Sequence, residues 1–274
     1  MHRWIALGLA AALVSCAQKG VNYPTTPGPC IAGSPTAEPV ARSGDTLKIV
    51  TWNIKWGIEA TAAAEMLATD DSLKDADIVV LQEMNEDAVR EVAARLGAGY
   101  VYYAATFHPR MQRHVGNAIL SRWPITDDRK LVLPHDAWLI GTGRAAVIAT
   151  VTVRGESLRV YGVHFATAMA VGDHGIRDQL RTVIRNADST AGPVLIAGDF
   201  NSTRAGGLLL DQGYTWHTRR IGPTAAGGLA LDHIFTRNLP IAGSRVGSVN
   251  RKQLPSDHRP VWALITLAAS GSGT

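Results

Sequence analysis

The order of elements in this sequence predicts an α+β fold in which two sheets pack face to face with helices outside. Three observations carry that reading. About ten short segments are rich in β-branched and aromatic residues and are bounded by Gly, Pro, Asn or Asp, as strands are. Only three or four segments have helical spacing. Most of those are inserted between strands without the regular alternation of a single parallel sheet. Roughly 220–230 residues remain once the ends are set aside, a length that one hydrophobic core can serve.

At the N-terminus, His2 and Arg3 precede an apolar run over residues 4–14. The run is too short to span a bilayer and has the length of a signal-peptide core. Its end, Leu13-Val14-Ser15-Cys16, resembles the bacterial lipoprotein signal. That resemblance implies removal of residues 1–15, lipidation of Cys16, and an exported protein on the periplasmic or extracellular face of the cell envelope. An ordinary signal peptide with an incidental cysteine, giving a secreted protein, is the alternative. Cys30 is the other of two cysteines, so a lipidated Cys16 leaves no partner for an intrachain disulfide. Residues 16–44 carry Pro24, Pro27, Pro29, Pro35 and Pro39 among Gly, Ser and Thr, the composition of a semi-extended tether. The folded domain is expected over 45–268, with a disordered tail at 269–274. The formal net charge of +4 is mild; it permits a polyanionic partner without arguing for one.

Within the domain, 46–54 alternates and is β-branched: a strand with Asn53 at its far end. Residues 60–68 read as a short helix and 77–81 as a buried strand, followed at once by Gln82 and Glu83. Ala88, Val89, Val92, Ala93 and Leu96 have helical spacing, giving a helix over 87–96. Strands follow at 100–104, 117–120, 130–133, 144–153 and 157–163. A helix over 173–187 puts Ile176, Leu180, Val183 and Ile184 on one stripe. The strand 194–197 and a short helix at 205–212 come next, and strands at 231–235, 241–249 and 261–267 close the chain.

The strands share a feature: many run apolar and then stop on a polar residue. Residues 49–52 stop on Asn53, 78–81 on Gln82-Glu83, 158–163 on His164, and 194–198 on Asp199, with Asn201 two residues on. Leu229-Ala230-Leu231 leads into Asp232-His233, and Leu254-Pro255-Ser256 into Asp257-His258. In extended backbone Asp199 and Asn201 share a face. Such a pair serves either an Asp/Asn turn or a site that binds a metal or activates water. One acid after a strand is ordinary loop chemistry. Six such stops on one edge of a sandwich would make a pocket of carboxylates, amides and imidazoles, which suits a hard divalent cation such as Mg²⁺.

Thr-Trp-Asn-Ile, Leu-Gln-Glu, Gly-Asn-Ala-Ile-Leu-Ser-Arg, Gly-Val-His, Gly-Asp-Phe-Asn, Leu-Asp-His-Ile and Ser-Asp-His-Arg-Pro follow one another here. In that order they resemble the endonuclease/exonuclease/phosphatase superfamily, over about residues 46–267. The resemblance implies a four-layer α/β-sandwich of two mostly antiparallel sheets and Mg²⁺-dependent phosphoester hydrolysis, with Mn²⁺ or Ca²⁺ as alternative ions. It assigns Glu83 as metal ligand, with Asn53 and Asp257 beside the metal. His258, paired with Asp232, would stabilise phosphate charge or move protons. Asp199 would orient or deprotonate the attacking water, Asn201 would donate to a phosphate oxygen, and His164 would hydrogen-bond the phosphate. Asn117 and Arg144 are candidates for substrate contact. His233 stands where the family often has an aromatic or apolar residue, and its part is left open.

The substrate is less legible. Residues 106–115 and 166–177 read as loops carrying Arg and His, which phosphate backbones and anionic headgroups both attract. Trp138-Leu139-Ile140 is an apolar run that either is exposed or joins the core. A secreted or membrane-tethered nuclease or related phosphodiesterase leads, acting on nucleic acid or another phosphodiester and held to the membrane through Cys16. A lipid or small-molecule phosphodiesterase or phosphatase is the alternative, and a non-catalytic binding module is disfavoured by the intact polar set. Nothing argues for an obligate protein partner, so a monomer is expected.

Overall fold

The computed structural model describes residues 19–24, 28–36 and 45–268. Residues 1–15, Cys16 and the tail 269–274 lie outside the described residues. The first sheet contains β1 (Val21–Asn22), β2 (Cys30–Gly33), β3 (Thr46–Asn53), β4 (Ile78–Met84), β5 (Gly99–His108) and β6 (Arg113–Ser121). The second contains β7 (Ile125–Val132), β8 (Ala145–Val153), β9 (Glu156–His164), β10 (Val194–Asp199), β11 (Thr215–Trp216) and β12 (Asp232–Arg237). The last strands, β13 (Ile241–Ser248) and β14 (Val261–Leu267), return to the first sheet. Strand order is β1-β5-β6-β4-β3-β14-β13, with β2 also on β5, and β11-β12-β10-β9-β8-β7. Among the described residues only β3/β4 and β9/β10 pair in parallel; the other pairs are antiparallel.

Alternation decides what each face covers. Ile49, Ile78, Val80 and Ile119 point inward against Val147, Val160, Leu195 and Ile234 of the second sheet, all fully buried. Their neighbours Val50, Trp52, Val79 and Leu81 point outward under α1 (Ala60–Thr69) and α2 (Glu86–Leu96). On the far side, Tyr161 and Ile196 pack under the stripe of α3 (Ala168–Ala187), with α4 (Gly206–Asp211) beside it. The layers are therefore helix, sheet, sheet, helix. Both sheets are buried on both faces, which is why their central strands read as nearly continuous apolar runs.

Local chemistry sets the helix ends. Asn85 caps α2, its Oδ1 accepting from the Ala88 N–H at 3.1 Å, and Gly97 ends it in the left-handed region at φ 63°. The stripe predicted for α3 is buried as expected, but the helix begins at Ala168 and is broken at Gly172, whose φ is 71°. The regular turn resumes where the sequence pattern starts, at Asp173.

Two expectations change. The described part of 16–44 is not a bare tether, because β1 and β2 pair with β5 and the Tyr23 carbonyl accepts from Lys130 Nζ at 2.7 Å. Strands of two and four residues carry too little alternation to be read locally; the edge of β5 supplies their partners, and Pro is tolerated at such an edge. The stretch 106–115 is largely a hairpin, with β5 running to His108 and β6 starting at Arg113.

Candidate active site

Strand direction collects the polar residues. Parallel strands end at the same edge, so β9 and β10 put His164 and Asp199 side by side in register. The antiparallel β12 begins where β10 ends, and its first residue, Asp232, lies opposite Asp199 on the other side. In the facing sheet the parallel pair β3/β4 brings Asn53 level with Gln82. There β4 bulges: Leu81 opposes Ala118 and Met84 opposes Gly116, leaving Gln82 and Glu83 against Asn117. A bulge re-aims a side chain. Glu83 takes φ 56° and joins the site, whereas Gln82 stays in the core and donates from Nε2 to Thr51 Oγ1 at 3.1 Å.

Asn53 links the two sheets. Its Nδ2 lies 3.3 Å from Glu83 Oε1 and 3.2 Å from Asp199 Oδ2, and its Oδ1 accepts from the Lys55 N–H at 3.1 Å. Asn53 thus stands as a donor between the two carboxylates; presenting Oδ1 to a cation would require the amide to turn over. His164 Nε2 is 3.6 Å from Asp199 Oδ2 and 4.0 Å from Glu83 Oε1. Burial, with Arg144 and His258 nearby, pushes this imidazole well below its usual range, so it is neutral and carries one N–H. Arg144 faces Glu83 and Asp199 and feels the charge of both. Burial raises Glu83, opposed by Arg144 and by the hydrogen bond from Asn53. Burial and the repulsion of Asp232 lift Asp199 to about 7, against the pull of His258 and the donors on Asn201 and Asn53.

His258 completes the pocket from the loop before β14. Its Nδ1 is 2.9 Å from Asp232 Oδ2, and its Nε2 is 3.8 Å from Asp199 Oδ2. Burial alone would lower this imidazole. The hydrogen bond and charge of Asp232, with Asp199 and Asp257, outweigh burial and raise it to about 9. His258 is therefore a cation at neutral pH that donates Nδ1–H to Asp232 and aims Nε2–H at the site. Trp52 Nε1–H holds the His258 carbonyl at 2.9 Å.

Three further predicted residues have contacts of their own. Asn201 does not share a face with Asp199 through extended backbone. It sits at φ 45°, its N–H closes a turn onto Asp199 Oδ1 at 2.8 Å, and its Nδ2 donates to the Phe165 carbonyl at 2.9 Å. Asn117 donates Nδ2–H to the Ala145 carbonyl at 2.7 Å, tying β6 to β8 next to Arg144, so it supports the site and does not offer that N–H to substrate. Asp257 is at the rim, 48% exposed and 3.7 Å from Lys55 Nζ. The open question at His233 is answered: it packs against Trp216, Phe200 and Phe235, burial lowers it to about 4, and it faces the core.

Sequence reasoning missed Thr224. Its Oγ1–H donates to Asp232 Oδ2 at 2.7 Å, and the same oxygen accepts the N–H groups of Leu231 (2.9 Å) and Asp232 (3.2 Å). Eight residues upstream in a Gly-rich loop, it carries no signal that a pattern could find.

Asp199, Asp232 and His258 offer ligand atoms all within 4.8 Å of one another, a group that could bind a divalent ion. A His ligand must be neutral, however, and this one is held as a cation by Asp232. Glu83 fits a hard cation better: an acid re-aimed by the bulge, costly to bury uncompensated, with Asp257 contributing negative charge nearby. Asp232 Oδ1 is buried without a hydrogen-bond partner among the described residues, which leaves a second oxygen in the same pocket.

A two-sheet sandwich with acids, amides, an Arg and an imidazolium at one mouth defines a hydrolase class that handles phosphoester charge. The chain belongs to the Endonuclease/Exonuclease/phosphatase family, whose profile matches residues 50–258. Members of this family are hydrolases acting on phosphoesters and use divalent metals. Among solved structures it is similar to an endonuclease/exonuclease/phosphatase from Beutenbergia cavernae (17% identity, TM-score 0.65, covering 84% of this chain and 73% of that one). It is also similar to a humanized TDP2 from D. rerio (18%, TM-score 0.65, 81% and 100%). A mannosyl-6-phosphatase of Bacteroides thetaiotaomicron is alike too (17%, TM-score 0.62, 81% and 100%). At these identities the likeness shows the fold. No curated protein matches the chain in sequence.

Proposed function

We propose that this chain is a divalent-metal-dependent phosphodiesterase, exported and held at a membrane through Cys16, with nucleic acid as its leading substrate class. The observation that carries the chemistry is the position of Asp199 between neutral His164 and the His258–Asp232 pair. Asp199 accepts a proton from the attacking water as its oxygen bonds to phosphorus; a carboxyl raised to about 7 can hold that proton near neutrality. His258 Nε2–H, Arg144 and the imidazole of His164 face the charge that develops on the phosphoryl oxygens as the bond to the leaving oxygen breaks. Glu83 would hold the cation, with Asp257 adding charge and Asn53 steering the carboxylate. When bound, a hard divalent ion supplies charge neutralisation at the phosphate.

The nucleic-acid reading is supported by the β5–β6 hairpin, where His108 feels the charges of both Arg144 and Arg110. A lipid phosphodiester is the second reading, favoured by exposed Trp138, Leu139 and Met169 on segments that adjoin the site. The deciding test offers the chain supercoiled DNA, phospholipid vesicles and bis-nitrophenyl phosphate, each with Mg²⁺ and with excess chelator, and with His258→Ala as control. Metal- and His258-dependent nicking supports the nuclease. Hydrolysis of the aryl diester without nicking moves the substrate to lipids or small esters. Hydrolysis of none of the three overturns the phosphodiesterase reading.

A further inference from the structure

Three large apolar side chains stand in solvent on adjoining segments: Trp138 is 74% exposed, Leu139 55% and Met169 90%. Trp138 and Leu139 lie on the loop between β7 and β8, and Met169 lies in the first turn of α3. The two segments are locked together. The Trp138 N–H donates to the Ala170 carbonyl at 3.2 Å, and its indole Nε1–H to the Met169 carbonyl at 2.8 Å. The loop is closed on itself by Ala137 N–H to Thr142 O at 2.9 Å and Gly141 N–H to Ala137 O at 2.7 Å. A hydrogen-bonded frame therefore holds these side chains outward, and a clustered apolar surface of this kind marks an interaction site.

The occupant follows from where the chain enters the fold. The Gly20 N–H donates to the Ile140 carbonyl at 2.8 Å. Asn22 Nδ2 donates to the Gly141 carbonyl at 2.7 Å, and its Oδ1 accepts from the Gly143 N–H at 2.7 Å. A Cβ placed on Gly141 would meet the Lys19 side chain at 3.8 Å. The described chain thus starts on the tip itself. Cys16 is three residues earlier, at most about 11 Å of chain. The apolar residues 4–14 lie just before it. Whether that run is kept or a lipid on Cys16 replaces it, the hydrophobic anchor is attached within this reach, and Lys19 adds a cation suited to anionic headgroups.

We propose that the Trp138–Leu139–Met169 tip is a membrane-docking surface that enters the headgroup region of the bilayer on which the N-terminal anchor holds the chain. A Trp ring whose N–H is already bonded is an amphipathic body of the kind that settles at this interface. Short stretches of chain join the tip to the active site. Its loop runs on into Arg144, and the residues after His164 lead directly into the turn that carries Met169. Docking therefore turns the mouth of the site toward the headgroups. The proposal rests on reading residues 1–16 as the anchor.

The test keeps the two ideas apart. The full chain carrying Trp4→Phe, which silences the Trp within the anchor, is floated with phosphatidylcholine–phosphatidylglycerol vesicles. The acyl chains are brominated near the headgroup in one set and unbrominated in the other. Docking predicts that bromination quenches part of the Trp emission, and that this part disappears in Trp4→Phe/Trp138→Phe while flotation persists. Flotation with identical quenching in the two variants overturns docking and leaves the anchor standing. Absence of flotation overturns both. A paired Leu139→Ser/Met169→Ser variant, with Trp138 kept, is expected to lose most of the same quenching; unchanged quenching there also counts against the tip.

Discussion

Asp232 owes its position to a threonine. The Thr224 hydroxyl donates to the carboxylate and accepts the two N–H groups leading into it, so one side chain fixes both the backbone and the acid that holds His258. Thr224→Val keeps the shape but strands those groups, and a hydrogen bond to a charged partner is worth about 1.5–3 kcal/mol. Turnover is expected to fall roughly tenfold or more, and Thr224→Ser to restore most of it; a Val variant as active as the parent would show that Asp232 needs no such support. Asp199→Asn removes the proton acceptor and His258→Ala the imidazolium. Each is expected to cost on the order of 10²–10⁴ in kcat with thermal unfolding little changed. Near-normal rates in either would reassign the site. Glu83→Gln is expected to weaken Mg²⁺ binding at least about tenfold by calorimetry, since even outer partners of a metal cost that much. Retained affinity would instead favour the Asp199–Asp232–His258 group as the ion's seat.

At the scale of elements, the site depends on how closely β9 and β10 approach. Gly198 sits at φ +151°, and a Cβ there would lie 1.9 Å from the Val163 carbonyl oxygen. That neighbour is backbone and cannot swing aside. Gly198→Ala must therefore spread the parallel pair whose last residues are His164 and Asp199, at an expected cost of about 3 kcal/mol in urea unfolding. A loss below about 0.5 kcal/mol would mean the strands yield more readily than their packing suggests. The bulge in β4 is the second such device, since a regular strand would leave Glu83 on the face opposite to the one it needs.

For the whole molecule, pH also acts through a group far from the chemistry. His217 joins the start of the 218–231 loop to the second sheet through Thr236 Oγ1 at 2.8 Å and to Ser244 Oγ at 3.1 Å. Burial lowers it to about 4. Between about 4 and the unfolded value near 6.5 the unfolded chain binds more protons, so stability rises with pH in that window. The stabilisation is complete above about 6.5 and is lost as pH falls toward 4. His217→Gln is expected to flatten the unfolding free energy against pH over this range; an unchanged slope would assign the acid sensitivity elsewhere.

Much of this was legible along the chain because it is written in local patterns. The alternation of 46–54, the stripe of α3 and the placing of Asn53, His164 and Asp199 at strand ends need no knowledge of distant residues. So does the order of motifs that marks the family. Other features depend on register and on the packing of one sheet over the other, which no window of sequence contains. The donor role of Asn53 exists only because Glu83 and Asp199 arrive from opposite sheets. The bulge at Glu83 is a mismatch between β4 and β6, and Asn201 is turned by a carboxylate and a carbonyl 36 residues away. Short β1 and β2 are strands only because β5 offers an edge, and the same pairing brings the N-terminal chain against the Trp138 loop. Side chains reveal their type in sequence; which atoms they face is decided by contacts between segments far apart along the chain.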